Sequence, residues 1–107
     1  MSFKRTQNIK EETVRKYIVL STLTDHGLKT LKENPDRLTE VNAEISRMGA
    51  RVLEQWAVLG QYDFINVIEA PDNETMTRVS VEIGSRGSVR LVTLPAVDAR
   101  EFVKSLK

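Results

Sequence analysis

The sequence contains no cysteine. That excludes disulfide staples, thiolate metal sites, iron–sulfur clusters and cysteine nucleophiles. It has a single histidine, His26, so a multi-histidine metal site within one chain is impossible. A serine–histidine–aspartate relay would have only that imidazole to draw on. Charge of one sign is also missing: sixteen Lys and Arg face fifteen Asp and Glu, a net of +1. The lopsided basic field of a nucleic-acid reader is absent, as is the acidic excess of a disordered tail. No apolar run is longer than the short stretch from Tyr17 to Leu20, far too short to cross a bilayer. The first residues carry positive charges with no apolar segment behind them, unlike a secretory leader. The expectation is a cytoplasmic protein with no metal, no cofactor, and neither nucleic acid nor membrane as a partner.

What is present suits one domain. The 107 residues are 40% hydrophobic and 29% charged, enough for a modest core. A lone domain of this size buries only about 65% of its unfolded surface, so association with a second copy would help it.

Residues 1–15 are mixed and polar, with Phe3, Ile9 and Val14 as scattered apolar points, and read as an arm before a domain over 16–107. Lys16 to Thr24 reads as a first strand around Tyr17-Ile18-Val19-Leu20. Thr24 or Asp25 then caps a short helix carrying Leu28 and Leu31, punctuated by Asn34-Pro35. Asp36 to Met48 is the clearest helix: Leu38, Val41, Ile45 and Met48 form one apolar stripe, and Gly49 stops it. Arg51 to Leu59 and Tyr62 to Ala70 read as a hairpin turning at Gly60-Gln61. Asp72 caps a helix with Met76, Val79 and Ile83 in step, closed by Gly84 and Gly87. Ser88 to Leu94 is a fourth strand, stopped by Pro95, and Asp98 to Lys107 a terminal helix presenting Phe102, Val103 and Leu106. The order β-α-β-β-α-β is the split βαβ arrangement of ferredoxin-like α+β folds, a four-stranded antiparallel sheet with helices on one face.

A two-residue turn sets the hairpin register. Ala57 then faces Phe64, Gln55 faces Asn66 and Leu53 faces Ile68. On the opposite face Val58 meets Asp63, Trp56 meets Ile65, Glu54 meets Val67 and Val52 meets Glu69. Both faces carry large apolar groups, and helices cover only one. A second copy packing sheet against sheet is the simplest cover for the other.

Four motifs occur in order: Thr24-Asp25-x-Gly27, Gly60-Gln61-Tyr62-Asp63, Glu69-Ala70-Pro71-Asp72 and Gly84-x-x-Gly87-Ser88-Val89-Arg90. Together they resemble the GYD domain family, over roughly Tyr17 to Phe102. The resemblance implies a place in the dimeric α+β barrel superfamily, hence a dimeric α/β barrel and a bacterial cytoplasmic origin. It implies no single activity, because that superfamily includes cofactor-free monooxygenases, muconolactone isomerase, haem enzymes and effector-binding domains of regulators. The chain departs from the expected family pattern at His26, where most members are expected to carry Gln.

His26, the one imidazole, sits at a strand-to-helix turn. It reads either as a general base or as a solvent-facing turn residue. Tyr62 and Asp63 follow a tight turn; a phenol and a carboxylate there could position a substrate, or could pack and bond turn amides. Arg90, among apolar strands, suits a carboxylate of the protein or of an acidic ligand. Gln55 and Asn66 fall mid-strand on an otherwise apolar face, where buried amides must find partners; they either satisfy each other or line a ligand cavity. Trp56 packs the core or a dimer seam, and Met48 and Met76 fill the core.

The leading reading is a dimer that binds a small organic ligand in a pocket between sheet and helices. Gln55, Asp63 and Asn66 are its candidate ligand-binding residues. The alternative is a cofactor-independent isomerase or monooxygenase acting on a small aromatic or enolisable substrate. Its base would be His26, with Tyr62 or Arg90 as donor. A purely structural oligomeric module is the third reading.

Overall fold

β1 (Arg15–Leu23) is the centre of the computed structural model, which describes residues 14–107. Most of the arm expected over 1–15, with Phe3 and Ile9, lies outside the described residues. α1 (Asp25–Glu33) and α2 (Arg37–Arg47) follow, then β2 (Arg51–Ala57), β3 (Phe64–Ala70), α3 (Asn73–Gly84), β4 (Val89–Ala96) and α4 (Ala99–Ser105). The strands form one four-stranded sheet in the order β2-β3-β1-β4, with every neighbour antiparallel. This is the ferredoxin-like arrangement. No helix among the described residues is long and apolar enough to cross a membrane.

Local chemistry sets the helix starts. Thr24 accepts the Gly27 N–H and opens α1, and Asp72 accepts the Thr75 N–H and opens α3. Each side-chain oxygen satisfies an orphan amide of the first turn. Asp36 precedes α2 but makes no side-chain cap bond.

Three expectations need correction. The β2–β3 register follows the expected Ala57–Phe64, Gln55–Asn66, Trp56–Ile65 and Glu54–Val67 pairs, then shifts between Val52 and Glu54. The shift makes Val52 face Ile68, and Arg51 face Glu69, where an unbroken ladder would have used Leu53 and Val52. An extra residue in one strand re-aims its neighbours, here turning Val52 towards the core. Second, the connection is longer than a two-residue turn: Val58 N–H donates to the Asp63 carbonyl at 2.9 Å, closing a loop over 59–62. Gly60 does take the left-handed conformation, with φ 107°. Third, β4 runs through Pro95 to Ala96, with Pro95 opposite Tyr17. β4 is an edge strand, and a proline is tolerated where one side of the backbone has no ladder partner.

Pleating divides the sheet. Tyr17, Val19, Asn66, Ile68 and Ala70 point to the helices and are buried. Ile45 of α2 and Met76, Val79 and Ile83 of α3 complete that core. The opposite face carries Ile18, Leu20, Ile65, Val67, Val92, Leu94 and Trp56, none of them fully buried. Trp56 is 49%, Val92 44% and Leu94 45% exposed. None of the residues of α4 is buried.

The first and fourth motifs meet, and the hairpin motif is tied to the end of β1. Thr24 donates its hydroxyl to the Gly87 carbonyl and its N–H to the Ser88 carbonyl, at 2.7 and 3.0 Å. Gly27 lies against that same Ser88 carbonyl. At the hairpin, Asp63 accepts the Leu23 N–H on its carboxylate at 2.7 Å and donates its own N–H to the Ser21 carbonyl at 2.8 Å.

Candidate functional site

The helical face of the sheet does not fill against its helices. A cavity of about 140 Å³ remains, walled by the sheet, by α1 to α3 and by the segment that follows α3. Most of its wall is aliphatic: Val19, Leu38, Val41, Ile68, Val79 and Leu91 are among the lining side chains.

One side is polar. Asn66 is 4% exposed and Ser21 6% exposed, at the centre of the sheet. Asn66 Nδ2 donates to the Val19 carbonyl at 2.8 Å and to Ser21 Oγ at 2.9 Å. Its Oδ1 accepts from Gln55 Nε2 at 2.7 Å. Gln55 in turn exchanges bonds with Asn42 on α2, accepting at 2.9 Å and donating at 3.4 Å. Three amides and a hydroxyl therefore run as one chain from β1 through β3 and β2 to the helix above. No buried side-chain polar atom among the described residues is left unpartnered. In a low-dielectric interior such a chain is rigid only while every member is satisfied.

The other polar feature is ionic. Arg37 of α2 and Arg86, just past α3, both line the cavity. Arg86 binds Glu44 of α2 and, at 3.1 Å, Glu82 of α3, while Arg37 Nη2 lies 3.7 Å from Glu44. The Arg86–Glu44 bond thus ties the end of α3 to α2 above the cavity. The Arg86 hydrogen bond holds the Glu44 carboxyl below its ordinary value of 4.5. The Thr75 N–H does the same for Asp72. A carboxylate with a depressed folded pKa adds stability that is complete above its unfolded pKa and lost as pH falls through the folded one. Melting temperature is therefore expected to fall as pH drops through and below the ordinary carboxylate range. Glu44→Gln should flatten that fall in circular-dichroism melts taken across the range. An unchanged slope in the variant would remove Glu44 from the account.

The structure places the sequence candidates in different parts of the molecule. Gln55 and Asn66 line the cavity and bond each other. Asp63 does not line it; its carboxylate is held by the Leu23 amide. His26 is exposed in the first turn of α1, Tyr62 is half-buried in the hairpin loop, and Arg90 is exposed on β4. None of these three lines the cavity. Arg90 borders a separate open groove between α3 and β4. Among the described residues no cluster of side chains has the make-up of a metal site.

Sequence reading missed Ser21, Asn42, Arg37, Glu44 and Arg86. Two of them left a signal. Ser21 alternates with Tyr17 and Val19, and Asn42 falls on the stripe of Leu38, Val41 and Ile45. In the ionic group only the local pairs Glu82–Arg86 and Arg37–Glu40 have helical spacing; the Glu44–Arg86 bond left no signal, because those residues are far apart in the chain.

Comparisons with known proteins fit this fold. A family model described as the GYD domain matches residues 17–106. A Thermus thermophilus protein named glutamine synthetase and cystathionine beta-lyase binding protein is 51% identical over 92 residues, 85% of this chain and 97% of its own. Among solved structures, the Mycobacterium tuberculosis leucine response regulatory protein LrpA superposes with a TM-score of 0.58 at 13% identity, over 87% of this chain. The chain spans 56% of that regulator's length, so the likeness is one of fold alone. A dimeric ferredoxin-like protein from an uncultured marine organism matches 80% of this chain and 94% of its own, at 9% identity and a TM-score of 0.37. The model match covers nearly all of the described residues and includes the hairpin Gly60, Tyr62 and Asp63: the chain belongs to the GYD domain family.

Proposed function

We propose that this chain is a dimeric binding protein. Each copy holds a small organic ligand in the cavity beneath its helices, and the assembly docks on enzymes of the two kinds named for its Thermus relative. One observation carries the choice of binding over catalysis. Among the described residues, the only ionisable side chains on the cavity wall are Arg37 and Arg86, and a guanidinium does not give up its proton. A ligand lying there meets no general base. Half of all residues are shared across nearly the whole relative, which supports a common class of partner. The open sheet face, with Trp56, Val92 and Leu94 exposed, supports a second copy as its cover, since a patch of that kind on a lone domain invites association.

Two measurements test the proposal. Immobilised chain should bind purified glutamine synthetase or cystathionine beta-lyase of the same organism saturably in biolayer interferometry. Retention of neither sinks the docking claim. Light scattering should give twice the chain mass for the native protein and the single mass for Leu94→Lys, which puts a charge into the sheet seam. A monomeric native chain refutes the dimer.

A further inference from the structure

The cavity also specifies a class of ligand, an inference that rests on the small-molecule reading above. Its volume of about 140 Å³ is close to that of an engineered protein cavity that takes up benzene. A ligand of about six to nine heavy atoms is the size that fits. The wall is overwhelmingly aliphatic, so the body of the ligand is apolar.

The polar side is more selective. Each amide N–H of Asn66 and Gln55 is engaged: Asn66 Nδ2 with Val19 and Ser21, and Gln55 Nε2 with Asn66 and Asn42. These two amides have no donor left to offer. Ser21 differs. Its Oγ accepts from Asn66, and its own hydroxyl hydrogen has no acceptor among the described residues. A serine hydroxyl always carries one donor. Ser21 is buried, lines the cavity and sits at the end of the amide chain. The other hydroxyls on the wall, Thr30 and Ser88, are not buried. The charges of the two arginines are already paired with Glu40, Glu44 and Glu82, so an anionic ligand would compete with carboxylates already in place.

We infer that the cavity binds a small, neutral, largely apolar molecule through one acceptor oxygen, such as a carbonyl, received by the Ser21 hydroxyl. A buried donor rejects an analogue that cannot accept, because the donor is then left unpaired. Charge is rejected for a different reason, the cost of stripping water from an anion with no free cation to receive it.

The test uses three probes of similar size in amide-resolved NMR titrations of the full chain: cyclohexanone, toluene and benzoate. Cyclohexanone is expected to bind at least tenfold more tightly than benzoate. Ser21→Ala should weaken cyclohexanone about fivefold, the worth of one hydrogen bond, and leave toluene unchanged. Equal loss for toluene, or no loss for cyclohexanone, overturns the role of Ser21 while leaving a ligand cavity in place. Benzoate binding most tightly overturns the neutral class in favour of the arginines. Failure of all three to bind overturns the cavity reading itself. Should Ser21→Ala not fold, the cyclohexanone-to-benzoate ranking on the native chain still decides the class.

Discussion

Gly27→Ala is expected to lower the melting temperature by more than about 12 °C, and Gly84→Ala to raise it slightly. A methyl group on Gly27 would lie 2.0 Å from the Ser88 carbonyl oxygen and 2.9 Å from its carbon. Those are backbone atoms, so no side chain can swing away. The Ser88 carbonyl is also pinned by the Thr24 N–H, and Gly27 N–H is itself bonded to Thr24 Oγ1 at 3.1 Å. Retreat of either strand or helix breaks bonds at both ends. Overpacking into a core costs about 1–3 kcal/mol, and this contact belongs at or beyond the top of that range. At about 4–8 °C per kcal/mol for a domain of this size, the loss is the largest expected from a single methyl. Gly84 is the control. It ends α3 with open space around it, where alanine is favoured over glycine by a part of the about 0.8–1 kcal/mol that holds in a helix interior. Paired thermal melts check both signs. A Gly27→Ala variant that melts with the native chain would mean that α1 does not seat on the Ser88 carbonyl.

Asn66→Ala is the second large effect, with an expected loss of about 3 kcal/mol in urea unfolding. The side chain makes two donor bonds and accepts a third at the centre of the sheet. Each buried group left without a partner costs about 1–3 kcal/mol. Truncation also enlarges an existing cavity, which adds to the loss. After it, Gln55 Nε2 keeps only its 3.4 Å contact with Asn42. The asymmetry of hydrogen-bond energetics supplies a sharper test. Replacing Asn66 and Gln55 together by leucine removes both partners of the central bond and fills space with apolar atoms. That double variant should be more stable than Asn66→Ala alone, since removing both partners is far cheaper than orphaning one. The reverse order of stability would show that water already satisfies the amides.

Much of this architecture was readable from local pattern. The apolar run from Tyr17, the stripe through Leu38, Val41 and Ile45, and the caps at Thr24 and Asp72 each depend on neighbours within a few residues. The Gln55–Asn66 pairing followed from a hairpin whose turn position was legible even though its turn was longer than expected. The bulge between Val52 and Glu54 was not legible. Nothing in Val52-Leu53-Glu54 marks the extra residue; it is selected because Val52, not Leu53, then packs against Ile68. Pro95 looked like a terminator until β4 proved to be an edge.

The candidate site shows the same division. Local sequence could pick out a histidine at a turn, a tyrosine at a hairpin and an arginine in a strand. It could not tell that they lie on separate parts of the molecule. The sequence by itself determined the family, the elements and, away from the β2 bulge, the face each side chain shares with its neighbours, because strand and helix periods repeat over a few residues. Only the tertiary structure decided that Ser21, Asn42, Gln55 and Asn66 join into one chain, and that Arg86 reaches Glu44 above a cavity. Those contacts unite residues from separate elements, and a gap between packed layers is a property of how the layers meet, not of any one of them.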